Sequence, residues 1–174
     1  MEPGTGEIDL EQLGLRSGQA ETIVVELQPP PPVVGGVELR IDGGGVEARV
    51  DVSRTSSGFA LRLVADTGVS GPCIRCLEPA SLAIPIEARE VEQDDSEDDE
   101  LSSPYVEDGV LDVGSWLHDA ITLALPEKLL CRADCAGLCP ECGIPLNDLE
   151  PGEHRHEVPR DPRFAKLREL EEGP

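Results

Sequence analysis

The chain has 174 residues, which suits one domain with at most a small appendage, and its 39% hydrophobic content is enough for a core. Phe59, Tyr105, Trp116 and Phe164 are the only aromatic residues, so that core has to be built from Val, Leu, Ile and Ala. The net charge of −22, from 36 acidic and 14 basic side chains, argues against a general nucleic-acid-coating role, which needs Lys and Arg to replace counterions along phosphates.

The charge is unevenly spread. Residues 1–127 hold 7 basic and 26 acidic side chains, whereas 128–174 hold 7 and 10. Any RNA contact is therefore expected near the cysteines, at Arg75, or in the C-terminal tail, and the acidic remainder suits a basic partner. No apolar run approaches a membrane span, and Met1-Glu-Pro-Gly-Thr-Gly6 has neither the basic end nor the apolar core of a signal peptide. A cytoplasmic protein is expected.

Residues 1–20 read as a mobile N-terminus with one short turn at Asp9–Leu13. A single α+β domain, 21–147, is expected to follow, then a connector and C-terminal helix over 148–174. Thr22–Leu27 is a strand by its β-branched content, ended by Pro29–Pro32. Val37–Ile41 and Val46–Val52 both alternate apolar and polar residues, and Asp42-Gly-Gly-Gly45 between them predicts a hairpin with one buried face. Phe59–Ala65 is the next strand. Ser81–Val91 is another, with a period of two, and Pro85 in its middle marks an edge or a bulge.

Residues 92–100 carry seven carboxylates in nine positions, a block that repels itself into a solvated loop; docking of a basic peptide is the second reading. Asp112 can cap a helix from Val113 to Ala124, whose apolar stripe of Val113, Trp116, Leu117, Ala120, Ile121 and Ala124 faces the sheet. Pro126 ends it. Glu127–Cys135 reads as a short helix that sets Cys131 and Cys135 on one face. Asp161-Pro162 opens a last helix, where Arg160, Arg163, Lys166 and Arg168 form the single basic patch.

All six cysteines lie in two clusters: Cys73-Ile-Arg-Cys76, and Cys131, Cys135, Cys139 and Cys142 within twelve residues. In Cys-x-x-Cys the turn aims both sulfurs at one centre, so two such pairs brought together make a tetrahedral sulfur site for Zn2+. Disulfides need an oxidising compartment, and no nucleophile signature or nearby His marks a catalytic thiol. Three ligand sets are compatible with the spacing. One zinc can be held by Cys73, Cys76, Cys139 and Cys142, with Cys131 and Cys135 nearby or substituting. Two ions can be held if His154 and His156 complete the set. Alternatively Cys73 and Cys76 pair with Cys131 and Cys135, leaving the later knuckle semi-independent. The first is favoured.

The same clusters carry a family resemblance. Cys73-Ile-Arg-Cys76-Leu77, then Leu125-Pro126 ahead of Cys131-x3-Cys135-x-Gly137-Leu138-Cys139-Pro140-x-Cys142-Gly143-x-x-Leu146-Asn147, resembles the bacterial YceD family. Leu10 to Leu13 with Gly18, and the tail Asp161-Pro-Arg-Phe-Ala-Lys-Leu167, fit as well. The resemblance implies a role in accumulation of large-subunit ribosomal RNA, with that RNA or its precursor particle as partner. The expected fold class is α+β, an antiparallel β-sheet packed by one or two helices, with a cysteine-rich zinc-binding C-terminal segment. The expected function is a non-enzymatic factor for large ribosomal RNA accumulation or subunit assembly; the alternative is an acidic binding module or chaperone for a basic ribosomal protein.

Overall fold

The computed structural model describes residues 6–93, 101–150 and 152–156. The largest unit is an antiparallel sheet of β2 (Ala20–Leu27), β5 (Arg40–Ile41), β6 (Val46–Arg54), β7 (Gly58–Pro72) and β8 (Pro79–Gln93). β7 is its spine. One edge pairs with β8 over fifteen residues, from Gly58 opposite Gln93 to Pro72 opposite Pro79. At about 3.3 Å per residue this ribbon is ~50 Å long. The other edge is shared end to end: β6 takes Phe59–Ala65 and β5 takes Val69–Ser70. β2 completes the sheet beside β6.

Alternation decides which face is buried. Val46, Ala48, Val50 and Val52 of β6 point inward with Phe59, Leu61, Leu63 and Ala65 of β7, all 5% exposed or less. The register stacks them into cross-strand rows such as Ile23–Val50–Leu63–Ala88 and Val25–Ala48–Ala65–Ile86. On the opposite face Thr22, Asp51, Arg62, Glu87 and Arg89 form a hydrogen-bonded charge ladder, including Arg62 Nε to Glu87 Oε1 at 3.1 Å. Exposed pairs of this kind add little stability each; they keep the outer face polar.

α1 (Val113–Ala124) covers the apolar face, with Val113, Trp116, Leu117 and Ile121 buried against it. Asp112 caps it: Oδ1 accepts the Ser115 N–H at 3.0 Å and Oδ2 accepts the Ser115 hydroxyl at 2.6 Å. Trp116 stacks on Tyr105 with ring centres 6.0 Å apart, as a core anchor. Asp119 is exposed and accepts the Tyr105 hydroxyl. A small sheet of β1 (Glu7–Asp9), β10 (Val110–Asp112) and β9 (Val106–Glu107) leads into the helix, and β3 (Val33–Val34) pairs with β4 (Val37–Glu38).

The architecture is more β-rich than the expected α+β class: among the described residues there are ten strands and one helix. Three local expectations also change. Val37–Ile41 does not pair with Val46–Val52. Both edges of β6 are taken by β2 and β7, and the Asp42–Gly45 stretch is a detour between two segments that both pair with β7. Residues 7–10 are not a loose terminus, because β1 pairs with β10 and buries Ile8 and Leu10. Residues 127–135 form no helix. The Leu129 carbonyl accepts from Ile74 N–H instead of closing a helical turn, which sends this segment across the end of the β7–β8 ribbon. Pro85 does sit on a strand with β7 as its only strand partner among the described residues. The carboxylates at 94–100 and the residues expected to form a C-terminal helix lie outside the described residues.

Candidate metal centres

The β7–β8 ribbon ends in a six-residue turn, Cys73–Glu78, between Pro72 and Pro79. Cys73 N–H donates to Glu78 O at 2.8 Å and Leu77 N–H to Cys73 O at 2.9 Å, with Leu77 in the left-handed region at φ 64°. The turn folds both thiols inward, Cys73 0% and Cys76 3% exposed. It leaves Ile74 and Leu77 facing out, over an apolar cleft of about 130 Å³ shared with Val37, Leu39 and Leu129.

The second half of this site arrives from the segment after α1. Leu129 is buried, and its carbonyl accepts the Ile74 N–H at 3.0 Å, which lays the chain beside the turn. Cys131 Sγ then stands 3.5 Å from Cys76 Sγ, and Cys135 Sγ stands 3.8 Å from Cys73 Sγ. All four sulfurs lie within 4.8 Å of one another. A tetrahedron with zinc–sulfur arms of about 2.3 Å has sulfur–sulfur edges of about 3.8 Å, close to the Cys76–Cys131 and Cys73–Cys135 separations, so the four thiols are grouped as a metal site requires.

Ionising one crowded thiol raises the cost of ionising the next. Burial, then hydrogen bonding with the Cys76, Cys135 and Cys73 thiols, pushes Cys131 up to about 12. Burial also raises Cys73, but backbone N–H groups of Cys131, Arg75 and Cys76 outweigh it and bring that thiol down to about 6.

A second set forms downstream. The knuckle Cys139-Pro-Glu-Cys142 is closed by Gly143 N–H to Cys139 O at 2.8 Å and Cys139 N–H to Ile144 O at 2.9 Å. Gly143 takes φ 72° there. His154 Nε2 lies 3.3 Å from Cys142 Sγ and 2.8 Å from His156 Nε2. The four ligand atoms again lie within 4.8 Å, but Cys142 and His156 are exposed. The Cys142 N–H above all, with the Glu141 N–H and the His154 and Cys142 side chains, draws the Cys139 thiol down to about 6 against its burial.

Both sets could hold a metal ion. The favoured ligand set from the sequence, Cys73 and Cys76 with Cys139 and Cys142, is not the one brought together. The knuckle faces the two histidines, because segment 127–135 already occupies the space beside the Cys73 turn. All six cysteines are free of disulfides. Arg75 stands at the heart of the first site: its N–H donates to Cys73 Sγ at 3.4 Å and its guanidinium to Cys135 O at 2.7 Å. Arg160, Arg163, Lys166 and Arg168 lie outside the described residues.

Two features join the sets. Gly137, at φ 80°, lets the chain press onto the Arg75 carbonyl, which accepts the Leu138 N–H at 3.2 Å. A Cβ at Gly137 would lie 3.2 Å from that oxygen. Asn147 reaches back from the end of the knuckle, donating to Cys135 Sγ at 3.5 Å. Sequence reasoning gave Asn147 no role, since an amide beside sulfurs has no spacing signature.

A family model described as large ribosomal RNA subunit accumulation protein YceD matches residues 61–171, which include every residue of both sets. Uncharacterized proteins of Mycobacterium tuberculosis and Mycobacterium bovis are each 34% identical over 172 residues, covering 94% of this chain and 80% of theirs. A Zea mays protein described as a chloroplastic large ribosomal RNA subunit accumulation protein YCED homolog is 26% identical, over 79% of this chain and 59% of its own length. No solved structure matches significantly. With the family model spanning both cysteine clusters and the segments that join them, the chain belongs to the YceD family.

Proposed function

We propose that this protein is a non-enzymatic factor that promotes accumulation of large-subunit ribosomal RNA or assembly of the large subunit, with zinc as a structural ion in both ligand sets. The RNA half of the proposal rests on the family match over residues 61–171. The zinc half rests on the donors. Four thiols, and two thiols with two imidazoles, are soft tetrahedral sets with no carboxylate among them, which suits zinc better than calcium, magnesium or manganese. Each set supplies four ligands, so neither leaves the vacant position that a catalytic zinc keeps.

In this reading zinc fastens the segment 126–156 to the end of the β7–β8 ribbon, and residues around the first site, Arg75 among them, present a surface to the particle. A second reading is supported by charge: with −22 overall, the protein is suited to hold a basic ribosomal protein. A tagged pull-down from cells at moderate salt, divided into ribonuclease-treated and untreated halves, separates the two. Large-subunit RNA recovered only from the untreated half is the expected result. A basic protein retained in both halves, and released by salt, would replace the RNA reading with the chaperone one. Recovery of neither would overturn both.

A further inference from the structure

We propose that Asn147 couples the two metal sites, so that an ion held by Cys139, Cys142, His154 and His156 tightens the hold of the four-cysteine site on its own ion. The inference rests on the reading of both sets as metal sites.

Asn147 belongs to one site by its backbone and to the other by its side chain. The chain on either side of the knuckle is zipped together: Leu138 bridges Pro145, Cys139 N–H donates to Ile144 O, and Leu146 N–H donates to Gly137 O at 2.9 Å. This closure fixes where Asn147 stands. From there Oδ1 accepts the Ala136 N–H at 2.8 Å. Nδ2 donates to Cys135 Sγ at 3.5 Å and points at Cys131 Sγ at 4.0 Å. Arg132 holds the Asn147 carbonyl from the other side at 2.7 Å.

The charges explain why that amide matters. A divalent ion among four thiolates leaves a doubly negative centre, whereas two thiolates and two neutral imidazoles leave a neutral one. The four-cysteine site therefore gains more from N–H donors to sulfur, and Asn147 is a side chain that supplies one. Beyond these hydrogen bonds the knuckle has little burial to order it: Cys142, Gly143, Ile144 and His156 are exposed, and Cys139 is the one buried residue from 139 to 147. An ion is what closes such a segment. Opening it moves Asn147 and withdraws the donor from the other site. Because coupling is reciprocal, filling the four-cysteine site must strengthen the second site by the same factor.

The test is cobalt(II) binding to the full chain followed by competition with zinc(II) against a chromophoric chelator. The four-sulfur and two-sulfur, two-nitrogen cobalt sites are distinguished by their absorption spectra. Asn147→Ala is expected to weaken the four-cysteine site by about 10-fold or more, the range for lost partners of metal ligands. Its sulfur-to-cobalt charge-transfer band moves to longer wavelength. Changing His154 and His156 together to Ala should cost that site a comparable factor, although neither histidine touches it. All three changes together should cost no more than the larger single loss, the signature of one shared pathway. Asn147→Asp, which keeps the acceptor for Ala136 N–H and removes the donor, should weaken the site at least as much as Ala.

An unaltered four-cysteine site in the histidine variant would overturn the proposal, and so would losses that multiply in the triple variant. A native chain that takes up neither cobalt nor zinc would instead sink the metal reading on which the proposal stands.

Discussion

Gly137→Ala probes how the cysteine-bearing segment after the helix is registered on the sheet. The backbone there is left-handed at φ 80°, which costs an L-residue about 1–2 kcal/mol. The new Cβ would lie 3.2 Å from Arg75 O and 3.5 Å from Arg75 Cβ, so the carbonyl has to give. That weakens the 3.2 Å bond it accepts from Leu138 N–H, about 1 kcal/mol more. The total is about 2–3 kcal/mol. In the proposed metal reading, binding and ordering of this segment are one event, so the penalty should read out as zinc affinity at the four-cysteine site reduced by about 30–150-fold. The assay is chelator competition at fixed pH, beside a thermal melt of the sheet, which should not move. Gly143→Ala is the matched control. It has a similar φ of 72° but nothing within 4 Å of its Cβ, so only the conformational cost of about 1–2 kcal/mol applies, and at the other site. Equal zinc affinity in native protein and Gly137→Ala would refute the claim that the Arg75 carbonyl sets the position of the segment.

Four further outcomes follow from particular contacts. Asp112→Ala should lower stability by about 1 kcal/mol, seen as a lower melting temperature, because it removes the helix cap, while Asn should retain most of it. The Ser115 hydroxyl and then its N–H hold the Asp112 carboxyl below its ordinary 3.8, so its contribution is present above that pH and lost as pH falls through the folded value; melts from pH 5 downward should show a shallower acid slope in Asp112→Asn. Burial, then the Asp119 hydrogen bond and charge, raise Tyr105 to about 12, so its contribution is complete below pH 10 and disappears as pH rises from 10 to 12; alkaline melts of Tyr105→Phe should lack this step. Graded chelation should empty the less buried Cys139–Cys142–His154–His156 set first, and hydrogen exchange should show amides of 139–147 opening while Val50 and Leu63 in the sheet stay protected.

What could be read from the residues depended on range. The cap at Asp112 and the stripe through Val113, Trp116, Leu117 and Ile121 are contained within a few turns, and the helix stands at the expected bounds. The strands of β6, β7 and β8 announced their faces by alternation, but alternation says nothing about partners. Ile41 and Val46 therefore looked like the two sides of a hairpin, and instead both segments lie along β7. The six cysteines were legible as candidate ligands from spacing alone. Their grouping was not, because it depends on Leu129 meeting Ile74 across more than fifty residues of chain, a contact no local pattern encodes. The small sheet that buries Ile8 escaped notice for the same reason: three residues are too few to show a period.

The detour at Asp42–Gly45 makes the sheet tolerant at one place. The segments on either side are each anchored to β7, Ile41 opposite Val69 and Ala48 opposite Ala65, so neither depends on the length of chain between them for its register. Gly43 and Gly44 have open space around them, with one carbonyl 3.9 Å from the first and nothing within 4 Å of the second. Doubling a flexible loop adds only about 0.6 kcal/mol of closure entropy. A fluorophore or an affinity peptide inserted between Gly43 and Gly44, with Asp42 left in place against Gly68, would thus report on the protein without altering its ladder. It would be tethered to the sheet rather than to the segment that carries the two cysteine sets.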